Sequence, residues 1–268
     1  MIKVISFEER LKRPPFIKGA IFGKSGVGKT SLLKTLNHKA LLVDLEAGDL
    51  SLQEWEGDKV TLKTWEEVRD LCVLIAGVDP SVPEGEPFSQ GDFDRVEKEI
   101  GKRADVLGKY ETIFIDSITV MSRLCLSWSE NQADNQTRGG EKNMLAAYGA
   151  LGRDMMRLLT RVQHTPDKNI LFVGILDEKT YEFNRVSFEP QMDGGKIARE
   201  ISGIVDLVLT MAFTENKDGQ MVRAFFTSAD NELGYPAKDR SGKLREKELA
   251  NLQTIFDKIN NKKEKADA

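Results

Sequence analysis

The sequence predicts an α/β fold in which helices cover both faces of a mostly parallel sheet and antiparallel strands extend one edge. The first observation is a series of short apolar runs that alternate with helical patterns, which is typical of parallel strands buried on both faces. These runs are Phe16–Phe22, Ala40–Leu45, Glu111–Ser117 and Asn169–Leu176. The second observation is a pair of later strand patterns, Ile204–Phe213 and Met221–Thr227, separated by the turn sequence Lys217–Gln220. This pair predicts an antiparallel hairpin at the sheet edge.

A phosphate-binding loop follows the first strand pattern. Residues 23–30 read Gly-Lys-Ser-Gly-Val-Gly-Lys-Thr, a complete G-x-x-x-x-G-K-[ST] motif, and Ser31–Leu36 continues as a helical pattern. The motif predicts a P-loop NTPase that binds ATP, with Lys29 on the β- and γ-phosphates and Thr30 on Mg²⁺. The residues that we expect to bind nucleotide are Gly23, Lys24, Ser25, Gly26, Val27, Gly28, Lys29, Thr30, Ser31 and Asp116.

The remaining patterns place further elements along the chain. Trp65–Ile75 has helical spacing, with Thr64 as its N-cap and Glu67 as the capping-box partner. Other helical patterns are Asp92–Leu107, Ile118–Trp128, Met144–Val162 and Lys247–Asn260, while Ile2–Phe7 and Val60–Leu62 are short strand candidates and Tyr181–Phe188 alternates like a hairpin. One face of the long helix should bury Met144, Leu145, Tyr148, Leu151, Met155, Leu158, Leu159 and Val162.

Length and composition favour one ATPase domain. The chain has 268 residues, and we place a short lead-in at 1–15, the domain at 16–260 and a Lys-rich tail at 261–268. A net charge of −4 means that any contact with nucleic acid must come from local patches. Cys72 and Cys125 sit in apolar helical patterns and are expected to be reduced core thiols. We see neither a secretory signal nor a membrane-spanning run, and therefore expect a cytoplasmic protein with no membrane partner.

Two acidic strand ends supply candidates for the hydrolytic chemistry. Asp116 closes an apolar strand and fits the Walker B aspartate, which together with Thr30 would hold Mg²⁺; the alternative is an acid that caps the following helix. Glu46 ends the neighbouring strand and is the candidate for aligning the attacking water. The alternatives to Glu46 are Asp44, Asp49 and a residue near Asp177.

The order of these motifs resembles the ATPase core of the RecA recombinases. A phosphate loop is followed by a strand ending Asp44-x-Glu46, a strand ending Asp116-Ser117, a long helix, and a strand with a loop ending Gly194-Gly195. The resemblance covers roughly residues 16–227. It implies a RecA-like fold, with Glu46 as the catalytic glutamate and Asp116 as the Walker B acid.

The same resemblance implies binding of single-stranded DNA. Ser129–Glu141 and Asp177–Lys196 fall where the family has its two DNA-binding loops, and Trp128, Tyr181 and Phe183 are candidates to stack on bases. The cations expected at this surface are Arg138, Lys179, Arg185, Lys196 and Arg199. The chain looks like the core-only RecA-like proteins that bacteriophages encode for annealing and recombination, and Ala237–Leu244 is similar to a segment of that group. A single-strand-binding protein is a further candidate partner.

One feature of the family has no counterpart in this sequence. RecA proteins place a glutamine at the end of the fourth core strand to sense the γ-phosphate, but the matching region here is Val173–Asp177. The coupling between ATP state and DNA affinity must therefore depend on another residue, or be absent.

Lys238-x-Arg240 is the candidate for a contribution in trans. After the last core strand, this pair resembles the cations that reach the γ-phosphate of a neighbouring subunit in ring ATPases. That role requires a homo-oligomer, either a ring or a filament. The alternative is a solvated basic turn.

The sequence thus favours a Mg²⁺-dependent ATPase that binds single-stranded DNA and serves annealing or strand exchange. A ring helicase motor or helicase loader is one alternative. Another is a nucleotide-gated interaction protein that does not bind DNA, which the acidic balance of charge permits. A small-molecule kinase would leave Asp44-x-Glu46 and Lys238-x-Arg240 without a role.

Overall fold

A computed structural model describes residues 4–12, 16–48, 50–180 and 186–261 of the chain. The predicted site residues Arg185 and Asp49, the aromatic residues Tyr181 and Phe183, and positions 262–268 of the predicted tail lie outside the described residues. In the predicted lead-in, residues 4–6 form no strand and a short helix follows them.

The described helices and strands alternate through the first two thirds of the chain. The helices are α1 (Phe7–Lys12), α2 (Trp65–Ala76), α3 (Gln90–Ile100), α4 (Arg103–Leu107), α5 (Ile118–Glu130), α6 (Met144–Gln163), α7 (Gly195–Ile204) and α8 (Leu252–Ile259). The strands are β1 (Lys18–Gly23), β2 (Ala40–Asp44), β3 (Asp58–Thr61), β4 (Thr112–Asp116), β5 (Asn169–Thr180), β6 (Val186–Pro190), β7 (Leu207–Glu215), β8 (Met221–Phe226), β9 (Lys238–Asp239) and β10 (Lys247–Leu249). Short 3₁₀ helices cover Thr30–Thr35, Leu50–Leu52 and Ala133–Asn135.

All the described strands join one sheet, in the order β10-β8-β7-β1-β5-β4-β2-β3, with β6 paired to β5 and β9 to β7. The six strands from β7 to β3 pair in parallel, whereas β8, β10, β6 and β9 pair antiparallel. The predicted fold class is confirmed: a mostly parallel sheet carries antiparallel strands at one edge, in a P-loop NTPase core.

Two apolar clusters cover the two faces of the sheet. On one face, side chains of α2, α5, α6 and α7 pack on Phe22, Val43 and Ile115. On the other face, the 3₁₀ helix Thr30–Thr35 and α8 pack on Ile21 and Phe114. Strands β1, β2 and β4 are buried at every position, as expected of strands that pack on both sides. Cys72 and Cys125 are buried and free, as predicted.

The structure divides two elements that the sequence pattern predicted as single helices. Asp92–Leu107 is two helices, because Gly101 has φ of 120° and ends α3 before α4 begins. Lys247–Asn260 begins as strand β10, which pairs with β8, and only then continues as α8. The segment after the phosphate loop is a 3₁₀ helix rather than an α-helix.

The buried face of α6 is shorter than predicted, and α7 was not predicted. Leu151, Met155, Leu158, Leu159 and Val162 are buried, but at the start of the helix the small side chains of Ala147 and Ala150 form the buried face, so that Met144, Leu145 and Tyr148 are exposed. In α7, Ile197 and Ile201 have helical spacing and pack in the core, but they follow a polar stretch that the sequence pattern assigned to a loop.

Candidate functional site

The predicted site residues meet at the carboxyl ends of β1, β2 and β4. Asp44 at the end of β2 is directly opposite Asp116 at the end of β4, and Leu45 N–H donates to the Asp116 carbonyl at 2.7 Å. Strand β5 lies between β4 and β1, and the phosphate loop begins where β1 ends at Gly23. Ligands of open α/β sheets bind at this edge, where the strands of the sheet end.

The phosphate loop has the backbone that its glycines permit. Gly26 and Gly28 have φ of 79° and 98°, values that side chains disfavour. The Lys29 ammonium lies inside the loop and donates to the carbonyls of Gly23 at 2.9 Å and Lys24 at 3.0 Å. Burial lowers the pKa of Lys29, and the nearby Asp116 and Glu46 carboxylates oppose that shift. This cation is therefore held at the loop centre by groups that a phosphate would replace.

Thr30 and Asp116 form a pair suited to Mg²⁺. The Thr30 hydroxyl donates to Asp116 Oδ2 at 2.6 Å. Asp116 is buried, and burial raises its pKa to about 6, with the Glu46 charge adding to this rise and the Thr30 hydrogen bond and Lys29 opposing it. A hydroxyl and a carboxylate beside a phosphate loop are the oxygen ligands that Mg²⁺ takes together with nucleotide phosphates. Among the described residues no cluster of three or more His, Cys, Asp or Glu offers a separate metal cage.

Glu46 lies beside this pair and is held by its neighbours. The Ser117 hydroxyl donates to Glu46 Oε1, while Ser117 also accepts the Val120 N–H and so caps α5. The structure thus brings Glu46, Asp116, Thr30 and Lys29 together, while the roles predicted for them stay predictions.

Asp44 was considered from the sequence as an alternative to Glu46 for aligning the attacking water. The structure gives it a different position in the site. Its Oδ1 accepts the backbone N–H groups of Glu46 at 3.1 Å and Ala47 at 2.8 Å, and its Oδ2 lies 3.5 Å from Lys59 Nζ. The carboxylate therefore holds the turn that carries Glu46, and its charge also adds to the raised pKa of Asp116. Its position two residues before Glu46 is the sequence signal of such an Asx turn.

Lys238 and Arg240 lie at the carboxyl end of α7. Lys238 Nζ donates to the carbonyls of Ser202 at 2.5 Å and Val205 at 2.7 Å. Arg240 donates to the Gly203 carbonyl and to Asp206 Oδ1, each at 2.9 Å. Cations at the last carbonyls of a helix satisfy unpaired acceptors and complement its dipole. Within this chain the pair therefore caps a helix, and Arg240 remains exposed.

The cations predicted to contact DNA fall on two separate parts of the surface. Arg138 is exposed in the connection between α5 and α6. Lys179 on β5 pairs with Glu189 at 2.7 Å, while Lys196 and Arg199 lie on α7, which packs against β6. The last three thus lie around the β5–β6 hairpin, and the structure gives no contact between Arg138 and that group among the described residues.

A single ion pair connects the phosphate loop to this hairpin among the described residues. Lys24 Nζ lies 2.9 Å from Glu178 Oε2, on the part of β5 that pairs with β6. This hydrogen bond and the Glu178 charge raise the pKa of Lys24. A nucleotide that contacts Lys24 would break or strengthen its ion pair with Glu178. The ion pair therefore offers a physical link between the phosphate loop and the β5–β6 hairpin.

Arg223 is a residue near the loop that sequence reasoning missed. It lies on β8, and its guanidinium lies over Gly28, so that a Cβ atom built on Gly28 would overlap Nη1 and lie 3.5 Å from Cζ. Nothing local in the sequence indicated this contact, because it depends on the register of two strands beyond β1.

No helix in the described part of the chain has the length and apolar character needed to cross a bilayer.

Comparison with known proteins places this site in a family. The chain resembles solved structures of a prototypical ATPase from the type III secretion system of pathogenic bacteria (16% identity, TM-score 0.38) and of the RadB recombinase (15%, 0.31). It also resembles the flagellar accessory protein FlaH from Methanocaldococcus jannaschii (10%, 0.34). The matches cover 73%, 80% and 88% of this chain, and 51%, 89% and 84% of the three others, so this chain spans about half of the secretion ATPase.

At these identities and TM-scores the likeness to solved structures carries no argument about activity. Comparison with curated proteins gives no match. The model of the AAA domain family matches residues 16–241, which include the phosphate loop, both acidic strand ends and Lys238-x-Arg240. The chain therefore belongs to the AAA domain family.

Proposed function

We propose that this protein is a Mg²⁺-dependent, RecA-like ATPase that binds single-stranded DNA and promotes annealing or strand exchange in phage homologous recombination. The ATPase part of the proposal rests on one observation. Four residues lie together at one edge of the sheet: Lys29, Thr30, Asp116 and Glu46. The family membership supports the same class of activity.

The residues of the site divide the work of hydrolysis among them. The loop N–H groups and Lys29 hold the phosphates, and Thr30 and Asp116 would hold Mg²⁺, which neutralises charge on the phosphates when bound. Glu46 orients the attacking water and accepts its proton, and the Ser117 hydroxyl keeps the Glu46 carboxylate turned towards Asp116. The products are ADP and phosphate.

The DNA part of the proposal is supported by the position of the cations around the β5–β6 hairpin and by the Lys24–Glu178 link to the phosphate loop. Arg138, Arg185, Lys196 and Arg199 are the residues proposed to contact phosphates of the strand, with Lys179 exchanging its Glu189 partner for one. The assembly would be a homo-oligomer in the cytoplasm of a bacterial host, and a single-strand-binding protein is a candidate partner.

Fluorescence anisotropy of a labelled oligonucleotide tests this part. The full chain with Mg²⁺ and a non-hydrolysable ATP analogue should bind single strands more tightly than it does with ADP, with affinity that falls as salt rises. The Lys196→Ala/Arg199→Ala double variant should bind less tightly and lower the salt slope by about 1 per contact. Lys98→Ala, which removes an exposed cation from α3, is the control.

The outcomes separate the alternatives. If the protein binds no oligonucleotide at low salt in either nucleotide state, the DNA proposal is wrong and a nucleotide-gated interaction protein is favoured. Unwinding of a tailed duplex in one direction would instead favour a ring helicase motor.

A further inference from the structure

Arg223 occupies an unusual place for a side chain of an edge hairpin. Strand β8 is separated from β1 by β7, and adjacent strands lie about 4.8 Å apart, so β8 lies roughly 10 Å from the strand that leads into the phosphate loop. Arg223 is opposite Phe213 on β7, and its side chain crosses β7 to reach Gly28. An extended arginine is long enough for this reach, and most shorter side chains are not.

The guanidinium has no partner that explains its position. Arg223 is exposed, and within the described ranges no hydrogen bond or ion pair engages its side chain. Other cations near the site differ in this respect, since Lys24 pairs with Glu178 and Lys29 with two carbonyls. Arg223 instead lies against a loop whose N–H groups and lysine are themselves positive. The positive guanidinium therefore lies next to the positive groups of the loop until an anion binds there.

The groups around Gly28 therefore suit a polyphosphate. A guanidinium presents several N–H donors in a rigid fork that matches phosphate oxygens, and such charge-assisted bonds are stronger than neutral ones. We propose that Arg223 binds the phosphate chain of the nucleotide in the same subunit, on the side of the loop formed by Gly28 and opposite Asp116. This inference rests on the proposed function, because it assigns one more residue to the same nucleotide site.

The position also gives the antiparallel edge a role in nucleotide binding. A guanidinium drawn onto the phosphates would fix β8 relative to the phosphate loop, and β8 pairs with both β7 and β10. Arginine at this position thus links the edge of the sheet to the occupancy of the loop.

Isothermal titration of MgADP into the full chain tests the inference. Arg223→Ala should weaken ADP binding by about 10- to 100-fold, which corresponds to the loss of one hydrogen-bonded charge contact. Arg223→Lys, which keeps the charge without the fork, should recover part of this loss. Lys217→Ala removes an exposed cation from the turn of the same β7–β8 hairpin and should bind ADP like the unmodified protein.

A thermal melt without nucleotide accompanies each titration. The inference is supported if Arg223→Ala weakens binding while its melting temperature stays unchanged. It is overturned if Arg223→Ala binds MgADP within twofold of the unmodified protein, or if Arg223→Lys loses as much affinity as Arg223→Ala. Failure of the unmodified chain to bind MgADP would instead remove the proposed function, and this inference with it.

Discussion

At the scale of single residues, the candidate site depends on how Glu46 is held. Its backbone is fixed by the Asp44 carboxylate, which accepts the N–H groups of Glu46 and Ala47, and its side chain by Ser117. Asp44 is buried, whereas Glu46 is exposed at the mouth of the site. The carboxylate that we propose to be catalytic thus keeps access to water while a buried neighbour fixes its backbone.

Replacing Asp44 tests whether this residue positions Glu46 without contributing to the binding of ATP. Asp44→Ala removes the single oxygen that accepts both N–H groups of the turn. We therefore expect kcat for ATP hydrolysis to fall by about 10- to 100-fold, since small displacements of a catalytic group cost this much. KM for ATP should change little, because among the described residues no hydrogen bond or ion pair joins Asp44 to the phosphate loop. Asp44→Asn keeps an oxygen acceptor at the same place and should retain most of the activity. Steady-state kinetics showing equal losses for Ala and Asn would contradict this role.

Residues that follow from local patterns were accessible to sequence reasoning, and residues placed by distant contacts were not. The phosphate loop is contiguous, and Glu46 and Asp116 each end an apolar strand, so their meeting followed from a parallel sheet. Arg223 approaches Gly28 only because of the register between β7 and β8. The partners of Lys238 and Arg240 at the end of α7 were likewise hidden, because α7 itself was not recognised.

At the scale of elements, caps and glycines decided where the helices begin and end. The capping box predicted for α2 is confirmed: Thr64 accepts the Glu67 N–H at 3.2 Å, and the Glu67 side chain accepts the Thr64 N–H at 3.0 Å. The break at Gly101 and the start of α8 after its N-cap Asn251 were missed, because periodicity continued through both. Apolar periodicity alone does not locate a boundary when the flanking residues are also helix-compatible.

Removing the N-cap of α2 tests how much a helix cap contributes to the free energy of unfolding. Thr64→Ala deletes the side-chain acceptor, and we expect the free energy of unfolding to fall by about 1 kcal/mol. Glu66→Ala alters the same first turn without touching the box and should have a smaller effect. Urea denaturation followed by circular dichroism measures both. A Thr64→Ala protein as stable as the unmodified one would show that packing of α2, and not its cap, fixes the helix start.

At the scale of the whole molecule, the order of strands brings distant segments to one edge. The phosphate loop, the turn after β2 and the end of β4 are separated along the chain but adjacent in the sheet. Lys238 and Arg240 lie elsewhere, at the end of α7, and Arg240 remains exposed while it bonds Gly203 and Asp206. We therefore propose that Arg240 serves a neighbouring subunit by exchanging these partners on assembly.

Mixing two inactive proteins tests this proposal. Arg240→Ala should lower ATPase activity by about 10³-fold if the residue acts as an arginine finger. Adding Glu46→Gln protein, which has an intact Arg240, should partly restore phosphate release, because mixed assemblies contain some complete sites. If Arg240→Ala lowers only the melting temperature, or if no mixing ratio restores activity, the residue is a helix cap and the trans role is wrong.

The most direct test of the central claim is phosphate release by Glu46→Gln compared with MgATP binding by the same protein. We expect hydrolysis to fall by about 10²- to 10⁴-fold, the usual contribution of a positioned general base, while calorimetry gives an affinity for a non-hydrolysable ATP analogue within about threefold of the unmodified chain. Glu54→Gln, an exposed acid in the same connection between β2 and β3, should hydrolyse ATP normally. Hydrolysis by Glu46→Gln at the rate of the unmodified protein would contradict the account.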